Sequence, residues 1–219
     1  MRTVAVLSIE NNALPTAHKV ANTIAEVMKF SVEEVGREDF ALLDEWVESH
    51  DAALVVIGVN QKTKIQPILD MTRGLRVPYL FVRQGQEFTC RQIALPVTRF
   101  LEDREKGPYC GSFARNFDSS ITIFKPKDYG SAARQNIESI GNLLKTMNLK
   151  FNVTEGRKDS SGIEMEAVAS DCDLCIIGAS RDYGLDDIIF GPKERKILKH
   201  AKVPVLVVNP RGDLYPLCD

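Results

Sequence analysis

The chain has 219 residues, 44% of them hydrophobic and 26% charged, with a formal net charge of -2. That length can bury a full core as one large domain or two small ones, and the near-balanced charge, with no long basic block, argues against nucleic acid as a main partner. No stretch approaches the roughly 18 apolar residues of a membrane span, and the "VAVL" run after Met1-Arg2 is too short for a signal-peptide core, so a cytoplasmic protein is expected.

In chain order, "TVAVLSI" reads as a strand, "TAHKVANTIAEVMKF" as a helix with apolar Val20, Ile24 and Met28, and "FALLDEWVESH" as a second amphipathic segment. "AALVVIG" and "VPYLFV" are unbroken apolar runs, as expected of strands buried on both faces of a parallel sheet. A junction follows around Gln84 to Cys90. Beyond it come strand "RQIALPV", strand "SSITIF", helix "SAARQNIESIGNLLKTMN", strand "KFNVTE", helix "GIEMEAVAS", strand "LCIIG", helix "PKERKILKHA" and strand "VPVLVV". "GPYCGSF", from Gly107 to Phe113, intrudes where a first helix belongs and reads as a plain loop. The alternative is that Tyr109, Cys110 and Ser112 line a pocket at the carboxyl ends of the strands. The alternation predicts an α/β protein with doubly wound parallel sheets and right-handed crossovers.

An internal repeat is visible. "DAALVVIG" (Asp51 to Gly58) matches "DCDLCIIG" (Asp171 to Gly178), and "RVPYLFV" (Arg76 to Val82) matches "KVPVLVV" (Lys202 to Val208). Gly58 and Gly178 lie 120 positions apart but Pro78 and Pro204 lie 126 apart, so the first copy is six residues shorter between its last two strands. Two tandem domains are expected, 1–86 and 87–219, the first lacking a glycine loop.

Five cysteines (Cys90, Cys110, Cys172, Cys175 and Cys218), odd in number and scattered, fit a reducing compartment. "CDLC" begins a strand, where positions i and i+3 face opposite ways, so Cys172 and Cys175 read as structural rather than redox or zinc residues. His18, His50 and His200 have no ligand-spaced partner and read as surface or packing residues. No G-x-S-x-G elbow, P-loop or H-E-x-x-H occurs.

The segment from Asp171 to Pro210 carries the most specific signal: a strand ending at Gly178, a polar loop, Gly191, then "ERKILKHAKVPVLVV". With the "IALPV" strand it resembles the universal stress protein family, and the whole chain resembles a tandem member, more weakly in its first half. The resemblance implies adenine-nucleotide-alpha-hydrolase-like domains and a site for ATP or AMP. The corresponding positions here are Thr98, Gly178, Ala179, Ser180, Arg181, Gly191, Pro192 and Lys193. Family members that bind ATP have an aspartate where Thr98 stands, a glycine at Arg181, and serine or threonine at Pro192.

These departures remove donors and space. Arg181 restores bulk where a backbone should approach a phosphate, and Pro192 has neither N–H nor hydroxyl at the helix N-terminus. Thr98 offers no carboxylate to an adenine amino group. Asp182, Asp186 and Asp187 add negative charge. Arg181, Lys193, Arg195 and Lys196 could instead meet a phosphate; the plainer expectation pairs Arg181 with Asp186 or Asp187 and leaves the lysines solvating an exposed helix face.

The expectation is a non-catalytic stress-response or regulatory protein with weak or absent nucleotide binding, no cofactor, no metal, and an unidentified protein partner. Alternatives are a binding module for ATP, AMP or another small anion through the loop from Gly178 to Gly191, and a slow nucleotide hydrolase. The resemblance also implies an intramolecular pseudo-dimer through the final strands, with further homodimerisation as an option.

Overall fold

The computed structural model describes residues 1–179 and 193–210. Nine strands form one sheet: β1 Thr3–Ser8, β2 Ser31–Glu34, β3 Ala52–Val59, β4 Tyr79–Arg83, β5 Gln92–Pro96, β6 Ser120–Lys125, β7 Phe151–Glu155, β8 Leu174–Gly178 and β9 Val205–Val208. Their order is β2-β1-β3-β4-β9-β8-β5-β6-β7, parallel throughout except where β4 meets β9. Each half is doubly wound about its own first strand, and the two are welded edge to edge. The weld removes the exposed edges that two apolar final strands would otherwise present.

Alternation along each strand feeds two apolar layers. Val4, Val6, Leu80, Val82, Ile93, Leu95 and Leu206 face one layer, which is covered by α1 (Leu14–Met28), α4 (Lys106–Phe117) and α5 (Ser131–Thr146). Ala5, Leu7, Val55, Phe81, Ala94 and Val207 face the other, covered by α2 (Leu43–Ser49), α3 (Ile65–Thr72), α6 (Ile163–Val168) and the helix Lys193–His200, called α7. Both layers draw residues from both halves, so the core is continuous across the weld.

The weld has a reciprocal geometry. Leu80 pairs with Leu206 at its centre. At the end of β4, the guanidinium of Arg83 donates to the carbonyls of Leu198, Lys199 (2.9 Å) and Ala201 (3.1 Å) at the end of α7. Just beyond β9, the Asn209 amide donates to the carbonyls of Thr72 (2.7 Å) and Leu75 (2.9 Å) at the end of α3. The spacing of 126 that relates Pro78 to Pro204 also relates Leu80 to Leu206, Arg83 to Asn209, Thr72 to Leu198 and Leu75 to Ala201. Each final strand thus caps the last helix of the opposite half, satisfying carbonyls that a helix end leaves open.

Three sequence expectations need correction. The first half lacks more than a glycine loop: between its second strand and β3 it has no counterpart of α5 and β7. Its β2, "SVEE", is a polar edge strand that no apolar pattern marks. "GPYCGSF" is helical, as part of α4. Pro108 falls in the first turn, where proline is tolerated. Gly107 and Gly111, one turn apart, let α4 press onto α5: a Cβ on Gly107 would lie 3.1 Å from Leu143 Cδ2, and one on Gly111 2.5 Å from Met147 Sδ. Cys110 is buried inside the apolar layer.

Candidate functional site

The two halves treat the carboxyl ends of their central strands differently. In the first half, β1 and β3 stay paired to the end, where Ser8 faces Gly58. The Ser8 hydroxyl is within hydrogen-bond reach of the carbonyls of Gly58 (2.9 Å) and Glu10 (2.7 Å). The start of α1 then presses onto Gly58: a Cβ there would lie 2.7 Å from the Ala13 carbonyl oxygen and 3.1 Å from Ala17 Cβ. This end is closed by backbone.

In the second half, β5 and β8 pair only at Ile93 with Leu174 and Ala94 with Cys175, then part. Pro96 has no amide hydrogen to extend a ladder there. Among the described residues, a Cβ on Gly178 would meet nothing nearer than Asp103 Oδ1, at 3.5 Å. The two equivalent glycines therefore predict opposite outcomes. Gly58→Ala should cost about 1–3 kcal/mol through overpacking against backbone, and Gly178→Ala should stay within about 0.5 kcal/mol. Urea unfolding of both variants checks this.

The parted strands enclose a polar cluster. Asp103, in the 3₁₀ turn Leu101–Glu105, is buried and accepts the Thr98 backbone N–H through one carboxylate oxygen. Its other oxygen meets the Lys106 ammonium at 2.8 Å. Lys106 is fully buried and also donates to the Pro96 carbonyl. Asn136 on α5 donates to the carbonyls of Thr98 (3.0 Å) and Phe100 (2.7 Å) and accepts from Arg104 Nε (2.9 Å). Burial alone would push the Asp103 carboxyl up, but Lys106, the Thr98 amide and Lys193 outweigh it and hold the group below its ordinary value.

Lys193 opens α7 and turns inward. Its ammonium lies 3.2 Å from Glu164 Oε1, and Glu164 is itself buried. Burial would lower Lys193, but Glu164, Asp103 and Glu194 overcome that effect and keep the ammonium above its ordinary value. The same ammonium stands 5.6 Å from the centre of the half-exposed Phe100 ring. The expectation of a solvating surface lysine is thus corrected for Lys193, while Arg195 and Lys196 are exposed as expected.

Of the sequence-derived residues, Thr98, Gly178 and Lys193 converge on Asp103. Ala179 lies beside them, its N–H bonded to the Val208 carbonyl at 2.9 Å. Ser180, Arg181, Gly191 and Pro192 lie outside the described residues. Sequence reasoning missed Asp103, Lys106 and Glu164. Its attention stopped at Thr98, the residue next to the strand, whereas the carboxylate arrives five positions later; an Asp–Lys pair at i, i+3 opening a helix was the available signal.

Among the described residues the cluster pairs two carboxylates, Asp103 and Glu164, with two ammoniums, Lys106 and Lys193, and has no nucleophile paired to a base. Among the described residues, no group of three histidines, cysteines or acids could hold a metal ion. Among the described residues, burial pushes the Cys90 thiol up to about 12 and raises Cys110, Cys172 and Cys175, which disfavours the reactive thiolate. Cys172 precedes β8 and packs against the same apolar layer as Cys175, not the opposite one. Among the described residues no helix is long and apolar enough to cross a membrane.

Residues 150–209 match the model of the Universal stress protein family. No curated protein matches the chain. Among solved structures, a universal stress protein from Archaeoglobus fulgidus DSM 4304 superposes with a TM-score of 0.59 at 13% identity, over 97% of this chain and 88% of that one. A putative universal stress protein from Pseudomonas aeruginosa UCBPP-PA14 gives 0.58 at 14% identity, over 96% and 94%. At such identities the likeness is one of fold: α/β, with a mostly parallel sheet.

Proposed function

We propose that the chain is a tandem, two-domain protein of the universal stress type, non-catalytic and cytoplasmic, that binds adenine nucleotides weakly or not at all at its second-half cleft and works through protein contacts. The observation that carries this reading is that Asp103 and Lys106 take up the polar groups beside Gly178, while Glu164 takes up Lys193. An adenine has no carboxylate to meet at Thr98, because the nearest one already bonds the Thr98 amide. A triphosphate would find the Lys106 and Lys193 ammoniums already neutralised by Asp103 and Glu164.

The reciprocal caps at Arg83 and Asn209, related by the same spacing as the sequence repeat, support the tandem part of the proposal. Calorimetric titration with ATP tests the ligand part. No Gly178-dependent binding at micromolar concentration is expected; micromolar affinity that disappears in Gly178→Val would overturn it.

A further inference from the structure

The weld builds a second polar feature, remote in character from the cleft. A groove of about 700 Å³ opens where β4 ends against the end of α7. Its walls carry Lys62 after β3, Arg83 at the end of β4, and Lys199 and Lys202 from the opposite half, with no carboxylate among the lining residues. Lys62, Lys199 and Lys202 are exposed, and among the described residues none of them pairs with a carboxylate.

Two details make this more than a scatter of lysines. The end of a helix presents carbonyl oxygens and partial negative charge, which would repel an anion. Here Arg83 covers the α7 carbonyls from below, so the groove floor is discharged by a fixed cation. Beside it, Gln86 Oε1 accepts the Arg83 backbone N–H at 2.7 Å, which fixes the end of β4 at the groove floor.

We propose that this groove binds a polyphosphate group, held by the Lys62, Lys199 and Lys202 ammoniums. Concavity favours a small ligand, and several spaced ammoniums suit several phosphates better than one. Because the lysines come from both halves, the site exists only in the welded chain. It neither needs nor excludes a nucleotide at the Gly178 cleft.

The test is calorimetric titration of the full chain with sodium tripolyphosphate and, separately, with ATP, at low and raised salt. Tripolyphosphate should bind, and each of Lys62→Gln, Lys199→Gln and Lys202→Gln should weaken it roughly ten-fold, the worth of one charge-assisted bond. Raised salt should weaken it further. A control that removes the same charge elsewhere, Lys19→Gln with Lys29→Gln and Lys145→Gln, all exposed, should retain wild-type affinity. ATP should compete through its phosphates; loss of that binding in the lysine variants, with retention in Gly178→Val, places it in the groove and leaves the cleft reading intact. Absence of tripolyphosphate binding, equal weakening in the control, or unchanged affinity in all three lysine variants would overturn the proposal.

Discussion

Lys106→Met should destabilise the protein by about 3–5 kcal/mol, the cost of stranding one partner of a buried ion pair. Lys106 is fully buried and Asp103 nearly so, so water cannot replace the lost ammonium. The Pro96 carbonyl would lose its donor in the same stroke. Adding Asp103→Asn should recover much of the loss, because a neutral amide can still accept the Thr98 N–H without carrying a stranded charge. The two substitutions should therefore be strongly non-additive, as expected for groups in contact. Urea unfolding of the two single variants and the double one measures the coupling; simple additivity would show that the pair does not act as a unit.

The pH dependence of the same variants carries a sign. In the wild type the folded Asp103 carboxyl lies below its unfolded value, so it contributes stability that is present at neutral pH and lost as acid protonates it through that lowered value. In Lys106→Met the main opposing effect is gone and burial dominates, which raises the folded value. Acid then relieves the variant by neutralising its stranded carboxylate. The gap between wild type and Lys106→Met should narrow from pH 7 toward about pH 4, near the ordinary aspartate value.

What the sequence made legible follows from burial. β3, β4, β8 and β9 are buried on both faces and announce themselves as apolar runs, and the pairing of two final strands follows from having two such runs to hide. β2 was invisible because an edge strand with exposed glutamates carries no apolar pattern. The glycines of α4 were misleading because their use is tertiary: they are spaces for α5, and helix propensity alone cannot register a neighbour. The cleft was half legible. The residues that differ from a nucleotide site could be read singly, whereas Asp103, Lys106 and Glu164 come together only once the chain has turned at the 3₁₀ segment and α6 has packed against β5.

Arg83→Ala should lower stability by about 2–3 kcal/mol, and Asn209→Ala by about 1–2 kcal/mol. Arg83 brings a charge to three carbonyls at a helix end whose dipole favours it, and reaches the Asn60 carbonyl as well, at 3.4 Å. Asn209 brings a neutral amide to two carbonyls. The more informative outcome is the shape of the transition. Both apolar layers run unbroken through β4 and β9, so neither half should unfold alone even when one cap is removed. Trp46, the only tryptophan, sits in the first half and stacks on His50 with ring centres 4.0 Å apart, so its fluorescence reports that half. Far-ultraviolet circular dichroism reports both. In Arg83→Ala the two signals should still change at the same urea concentration, as a single cooperative unit requires. A fluorescence transition that separates from the dichroism would mean that the Arg83 cap, rather than the shared core, is what couples the halves.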